Sequence, residues 1–126
     1  MRRIDMLAPR LITLAFTKDD FWSIITANRD KFPKEYQVIL NDPKSEAARF
    51  FEMQAGLYSS LPDGKLQEEF DGLLRELEIE SLRERQDALK LEMRQAEEKG
   101  EDAIARKFLE EFNTSAKRIN DLKTKR

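Results

Sequence analysis

The apolar positions in the last third of the chain fall into two runs at helical spacing, separated by one glycine. Between Glu78 and Lys99 they are Ile79, Leu82, Leu89, Met93 and Ala96; between Glu101 and Lys123 they are Ile104, Phe108, Phe112, Ile119 and Leu122. Folding the chain at Gly100 pairs Ala96 with Ile104, Met93 with Phe108, Leu89 with Phe112, Leu82 with Ile119 and Ile79 with Leu122. The polar Gln86 then lies opposite Ser115. Two independent periodic patterns agree on one register, that of an antiparallel helical hairpin. Each arm of about 22 residues would extend about 33 Å at 1.5 Å per residue.

The preceding residues read as short amphipathic helices. A first helix over 6–16 places Leu7, Leu11, Leu14 and Ala15 on one face, with Pro9 acceptable only in its first turn. Thr17 is the expected N-cap of a helix over 18–27 that buries Phe21, Ile24 and Ile25, with Trp22 beside them. Phe32-Pro33 ends a connector before a short helix over 34–40 carrying Tyr36, Ile39 and Leu40. Asp42 and Pro43 form a restart signal, capping a helix over 44–60 whose stripe is Ala47, Phe50, Phe51, Leu57 and Leu61. After the turn at Leu61-Pro62-Asp63-Gly64, residues 65–77 present Leu66, Phe70, Leu73, Leu74 and Leu77. No Gly or Pro separates Leu77 from Lys99, so this helix either bends near Leu77 or continues into the hairpin. The pattern predicts an all-α fold: a small helical bundle subdomain over 1–77, followed by an antiparallel helical hairpin subdomain over 78–126.

Composition narrows the chemistry. Charged residues make up 38% of the chain and apolar ones 40%, which implies much solvated helix surface and a modest core. Sparse Gly and Pro, placed between periodic segments, favour helices over sheet or disorder. The net charge of -2, with both signs interspersed, gives no reason to expect nucleic-acid or anionic-membrane binding. With no Cys and no His, the chain has no disulfide, thiol nucleophile, thiolate or imidazole zinc site, or imidazole base. No apolar run approaches the roughly 20 residues of a membrane span. The opening Met1-Arg2-Arg3-Ile4-Asp5 is not that of a signal peptide, since Asp5 and Pro9 interrupt the apolar stretch. A cytoplasmic protein without cofactor, metal, small-molecule ligand or membrane partner is expected.

Other features have plain readings. The acidic pairs Glu68-Glu69, Glu97-Glu98 and Glu110-Glu111 sit at neighbouring helix positions, which do not face each other, and read as solvated surface. Lys117-Arg118 and the terminal Lys123-Thr124-Lys125-Arg126 complement the negative end of the last helix dipole. The second hairpin arm, however, carries more apolar surface than one facing helix covers. Ala105, Leu109, Phe112, Ala116 and Ile119 form a stripe beside the seam, and Leu91 on the first arm points away from it. Either these residues pack back on the bundle, or Leu91, Leu109 and part of Phe112 form a docking site for a partner helix. Charges on the outer faces, Arg94, Glu98, Arg106, Glu110 and Lys117, would set partner choice more than affinity.

The hairpin also carries a resemblance. The stretches Glu80-Ser81-Leu82-Arg83-Glu84-Arg85-Gln86, Leu91-Glu92, Gln95 to Glu101, Lys107-Phe108-Leu109-Glu110-Glu111-Phe112 and Ile119-Asn120-Asp121-Leu122-Lys123 resemble the end of bacterial DnaG-type primases. That family closes with a helical hairpin whose arms meet at an Ala-Glu-x-x-Gly-acidic turn; here the turn is Ala96-Glu97-Glu98-Lys99-Gly100-Glu101. Arg10-Leu11-Ile12-Thr13-Leu14-Ala15-Phe16, followed by Phe21-Trp22, is similar to the opening of the same C-terminal domain. The resemblance covers about the last 50 residues and, more loosely, the bundle; nothing corresponds to the family's zinc-binding or polymerase domains. It implies a non-catalytic domain that docks on the N-terminal domain of the hexameric replicative DNA helicase and couples primer synthesis to unwinding. A free-standing coiled-coil scaffold or cochaperone, self-associating through the hairpin, is the alternative reading of the same residues.

Overall fold

All regular structure among the described residues, 2–124, of the computed structural model is helical. Six α-helices follow one another: α1 (Ile4–Ala15), α2 (Asp19–Ala27), α3 (Gln37–Asn41), α4 (Glu46–Ala55), α5 (Asp63–Glu98) and α6 (Asp102–Thr124). Short 3-10 turns at Arg29–Lys31, Lys34–Tyr36 and Gly56–Tyr58 connect them. None of these helices is long and apolar enough to cross a membrane. The basic terminal residues Lys125 and Arg126 lie outside the described residues; of the cations expected to complement the α6 dipole, Lys123 sits in its last turn. The chain divides into two units, Met1–Glu78 and Ile79–Arg126.

The first unit is organised around α1, which buries Ile4, Leu7, Ala8, Leu11, Ile12, Leu14 and Ala15. That stripe wraps more than half the helix, and α2 and α4 both pack against it. Helix α5 contributes Leu66, Phe70, Leu73 and Leu77 to the same core. There the ring of Phe70 stacks on Phe21, with centroids 4.1 Å apart and planes 8° from parallel. Arg3, Arg10 and Lys31 form ion pairs with Glu76, Glu69 and Glu78 along the edge of α5.

Several local expectations are corrected in this unit. Helix α1 begins at Ile4, so Pro9 stands beyond the first turn and deprives the Asp5 carbonyl of its intrahelical donor. Burial along both sides of the proline outweighs that loss. Thr17 does not cap α2; its hydroxyl donates to the Leu14 carbonyl and closes α1 instead. Ile24 remains on the surface while Phe21 and Ile25 fill the core. The cap of α4 is Ser45, whose Oγ accepts from the Ala48 N–H at 3.3 Å, whereas Asp42 accepts from the Lys44 N–H in a separate turn. The stripe expected to bury α4 is also on the wrong side. Ala48 and Ala55 face the core with Phe51 half-buried, and Ala47, Phe50, Leu57 and Leu61 are exposed.

Helix α5 runs unbroken from Asp63 to Glu98, which answers the question left open at Leu77. Gly72 lies within it, half-exposed, and a Cβ added there would meet nothing within 4 Å. Gly72→Ala should therefore raise stability by about 0.5–1 kcal/mol, read as a higher midpoint in urea. Agreement between hairpin pattern and structure is close in the second unit. The Gly100 N–H donates to the Glu97 carbonyl at 3.1 Å and the Glu101 N–H to the Ala96 carbonyl at 2.9 Å. With Gly100 at φ 73°, this is a Schellman termination, and it needs the left-handed backbone that glycine adopts without strain.

Candidate partner-binding surface

The hairpin seam alternates three- and four-residue steps. On α5 it comprises Ile79, Leu82, Gln86, Leu89, Met93 and Ala96; on α6 it comprises Ala105, Phe108, Phe112, Ser115, Ile119 and Leu122. All twelve are buried or half-buried. Ile79, Leu82, Ile119 and Leu122 cluster at the end far from the turn, in the expected register. One layer differs: Ile104 is 44% exposed, and Ala105 is buried in its place. Both positions satisfy the helical period from Phe108, but next to a tight turn the arms are close, and alanine is the side chain that fits.

One flank of the seam is closed by charge. Arg85 donates from Nε and Nη2 to the two carboxylate oxygens of Glu111 at 2.9 and 3.1 Å, with Glu92 3.5 Å away. The hydrogen bond from Arg85, and then its charge, hold the Glu111 carboxyl below the ordinary value of 4.5. Because the folded value is the lower one, the pair's contribution is present above the unfolded pKa and is lost as pH falls through the folded value. Both groups are exposed, so the contribution is small and screened by salt. Glu111→Gln should lower the thermal midpoint at pH 7 and low salt, and the difference from the parent should shrink as pH falls through the titration of the folded carboxyl and in 1 M salt.

The opposite flank is open. There Leu109 is 46% exposed beside the half-buried Phe112, and the Lys90 ammonium lies 5.8 Å from the centre of the Phe112 ring. Toward the turn, a shallow cleft of about 240 Å³ is lined by Met93, Glu97, Asp102, Ala105, Arg106 and Leu109. Of the eight residues marked in the sequence, Arg106, Leu109 and Phe112 come together on this flank. Arg94 stands on an exposed shoulder of α5, next to Met93. Leu91, 55% exposed, and Glu98 lie on the side of α5 turned from the seam. Glu110 and Lys117 occupy the corresponding side of α6. The cleft therefore combines an apolar floor with both signs of charge at its rim, a surface suited to receiving a side chain of another protein.

No family model matches the chain, and no curated protein or solved structure is significantly similar to it.

The structure adds Lys90, Met93, Glu97 and Asp102 to the residues singled out from sequence. Their signal was present: Lys90, Glu97, Asp102 and Leu109 occupy the flanking positions on one side of the two seam patterns, and an antiparallel pairing brings those flanks together. The acidic pairs behave as surface. Glu69 binds Arg10 and Glu111 binds Arg85, while Glu68, Glu97, Glu98 and Glu110 are exposed. Among the described residues no group of three or more acidic side chains is placed to hold a metal ion.

Proposed function

We propose that this chain is a non-catalytic interaction domain of the bacterial DnaG primase type, acting in the cytoplasm, which docks onto the replicative DNA helicase and couples primer synthesis to unwinding. One observation carries the reading: the hairpin closes its own seam and still leaves Leu109 and the adjoining cleft uncovered on one flank. The resemblance of the Ala96–Glu101 turn and of the flanking arms to the primase C-terminus supplies the partner. Arg106, Leu109 and Phe112 form the centre of the contact, and Lys90, Glu97 and Asp102 fix its register through charge.

Sedimentation of the purified chain with and without a hexameric bacterial replicative helicase tests this. A monomer that co-sediments with the hexamer agrees with the proposal. Stable self-association with no helicase complex would replace it with the scaffold reading.

A further inference from the structure

Helix α4 is built inside out. It turns Ala48 and Ala55 toward the core, with Phe51 half-buried beside them, and leaves the large Phe50 and Met53 in water. Phe50 and Met53 on α4, and Leu57 in the 3-10 turn that follows it, are 62%, 78% and 75% exposed; Phe50 and Met53 are one turn apart, and Phe50 and Leu57 line the same groove, so the three form one ridge. Beside the ridge, a groove of about 220 Å³ runs between α1 and α4, with Pro9, Arg10 and Thr13 on one wall and Phe50, Gln54 and Leu57 on the other. The hairpin reading makes no use of either feature.

From this arrangement we infer that the ridge and groove receive an amphipathic α-helix of another protein. Size excludes the other occupants. The groove is smaller than the roughly 300–1,000 Å³ of small-molecule sites, and it has room for one large apolar side chain. At about 150–250 Å² per large side chain, the three exposed residues present roughly 300–500 Å². A two-fold dimer of this chain would need about 800 Å² from each copy, more than the ridge presents, whereas a single helix laid along the ridge docks through two or three anchor side chains. The ridge spans eight residues, about 10 Å from first to last, which is the length of two helical turns. The matching partner carries large apolar residues at i, i+3 or i+4, and i+7, one of them seated in the groove. Charge adds a second requirement. Arg49 is exposed next to Met53 and makes no ion pair among the described residues, so the partner helix places a carboxylate opposite it. The surface lies wholly in the first unit and shares no residue with the hairpin.

The test uses the full chain against a displayed library of helical peptides randomised at i, i+3, i+4 and i+7. Selected peptides are then titrated by fluorescence anisotropy. Apolar anchors should be enriched, with an acidic residue in register with Arg49. Binding should weaken at least tenfold on Phe50→Ser with Leu57→Ser, and on Leu57→Lys alone, a single exposed change that leaves the core untouched. Leu109→Asp on the hairpin should leave these peptides bound as before, so failure here is separate from failure of the helicase reading. The inference is overturned if no apolar-anchored helix is enriched, or if the ridge variants bind equally. It is also overturned if the chain forms a dimer that the ridge variants abolish, which would make a second copy the occupant.

Discussion

Phe70→Ala should destabilise the chain by about 3–5 kcal/mol, the range for removing a buried phenylalanine from a core that cannot collapse around the gap. Phe70 is fully buried and stacked on Phe21, and it is the large side chain through which α5 enters the first unit's core. The truncation removes both the ring contact and the filled volume. Small domains are stable by about 5–15 kcal/mol, so the loss takes a large share of the total. Urea denaturation followed by circular dichroism measures it. Phe50→Ala, the same chemical change on the exposed ridge of α4, should cost under about 1 kcal/mol. Equal effects from the two substitutions would mean that α4 faces the other way and that the first unit is packed differently from the description above.

Leu89→Ala should cost about 2–5 kcal/mol through the second unit. Among the described residues of the hairpin, Leu89 is the one side chain with no exposed surface, and it occupies the middle of the seam. Its layer adjoins Gln86 and Ser115, where the seam has no apolar side chain to spare. A cavity there opens the hairpin between its turn and the cluster of Ile79, Leu82, Ile119 and Leu122. Hydrogen exchange reads the effect locally: amides of α6 should lose protection in the variant, starting near Phe112. Leu91→Ala, two residues away but turned outward, should leave the same amides protected.

The hairpin was legible in the sequence because two patterns had to agree. Each arm alone could be rotated by one residue without offending the helical period, but the pairing across Gly100 admits few registers, and the left-handed turn marks where the arms reverse. The single slip, Ala105 for Ile104, occurred where the constraint is weakest, in the first turn after the glycine. The α4 helix lacked such a check. Hydrophobic size put Ala47, Phe50, Phe51, Leu57 and Leu61 on the buried stripe; close approach to α1 instead requires Ala48 and Ala55, with Phe51 shared by both, and the proximity of α1 is not written in the periodicity of α4. Helix ends were misread for a related reason. Thr17, Asp42 and Ser45 are all competent caps, and which backbone groups need them is decided by where the flanking helices are held.

The same distinction applies to the docking surface. Leu109 could be marked from sequence because the second arm had apolar residues in excess of its seam. Leu91 stood out as an apolar residue turned from the seam, and Glu98, Glu110 and Lys117 as outer-face charges suited to partner choice; the structure puts all four on faces that do not meet the cleft. The cleft itself depends on flanking positions from both arms, so it appears only once the register is known.

Titration of a labelled bacterial replicative helicase with the intact chain, and in parallel with Leu109→Asp, tests whether the open flank of the hairpin is the docking surface. Leu109 is an exposed position outside the seam, so the variant should keep the parent's circular dichroism spectrum. The intact chain should bind, and the variant should bind at least tenfold more weakly, as a carboxylate is buried against Met93 and Phe112. Equal affinity from the two chains, or no binding by the intact one, would contradict that role for the flank.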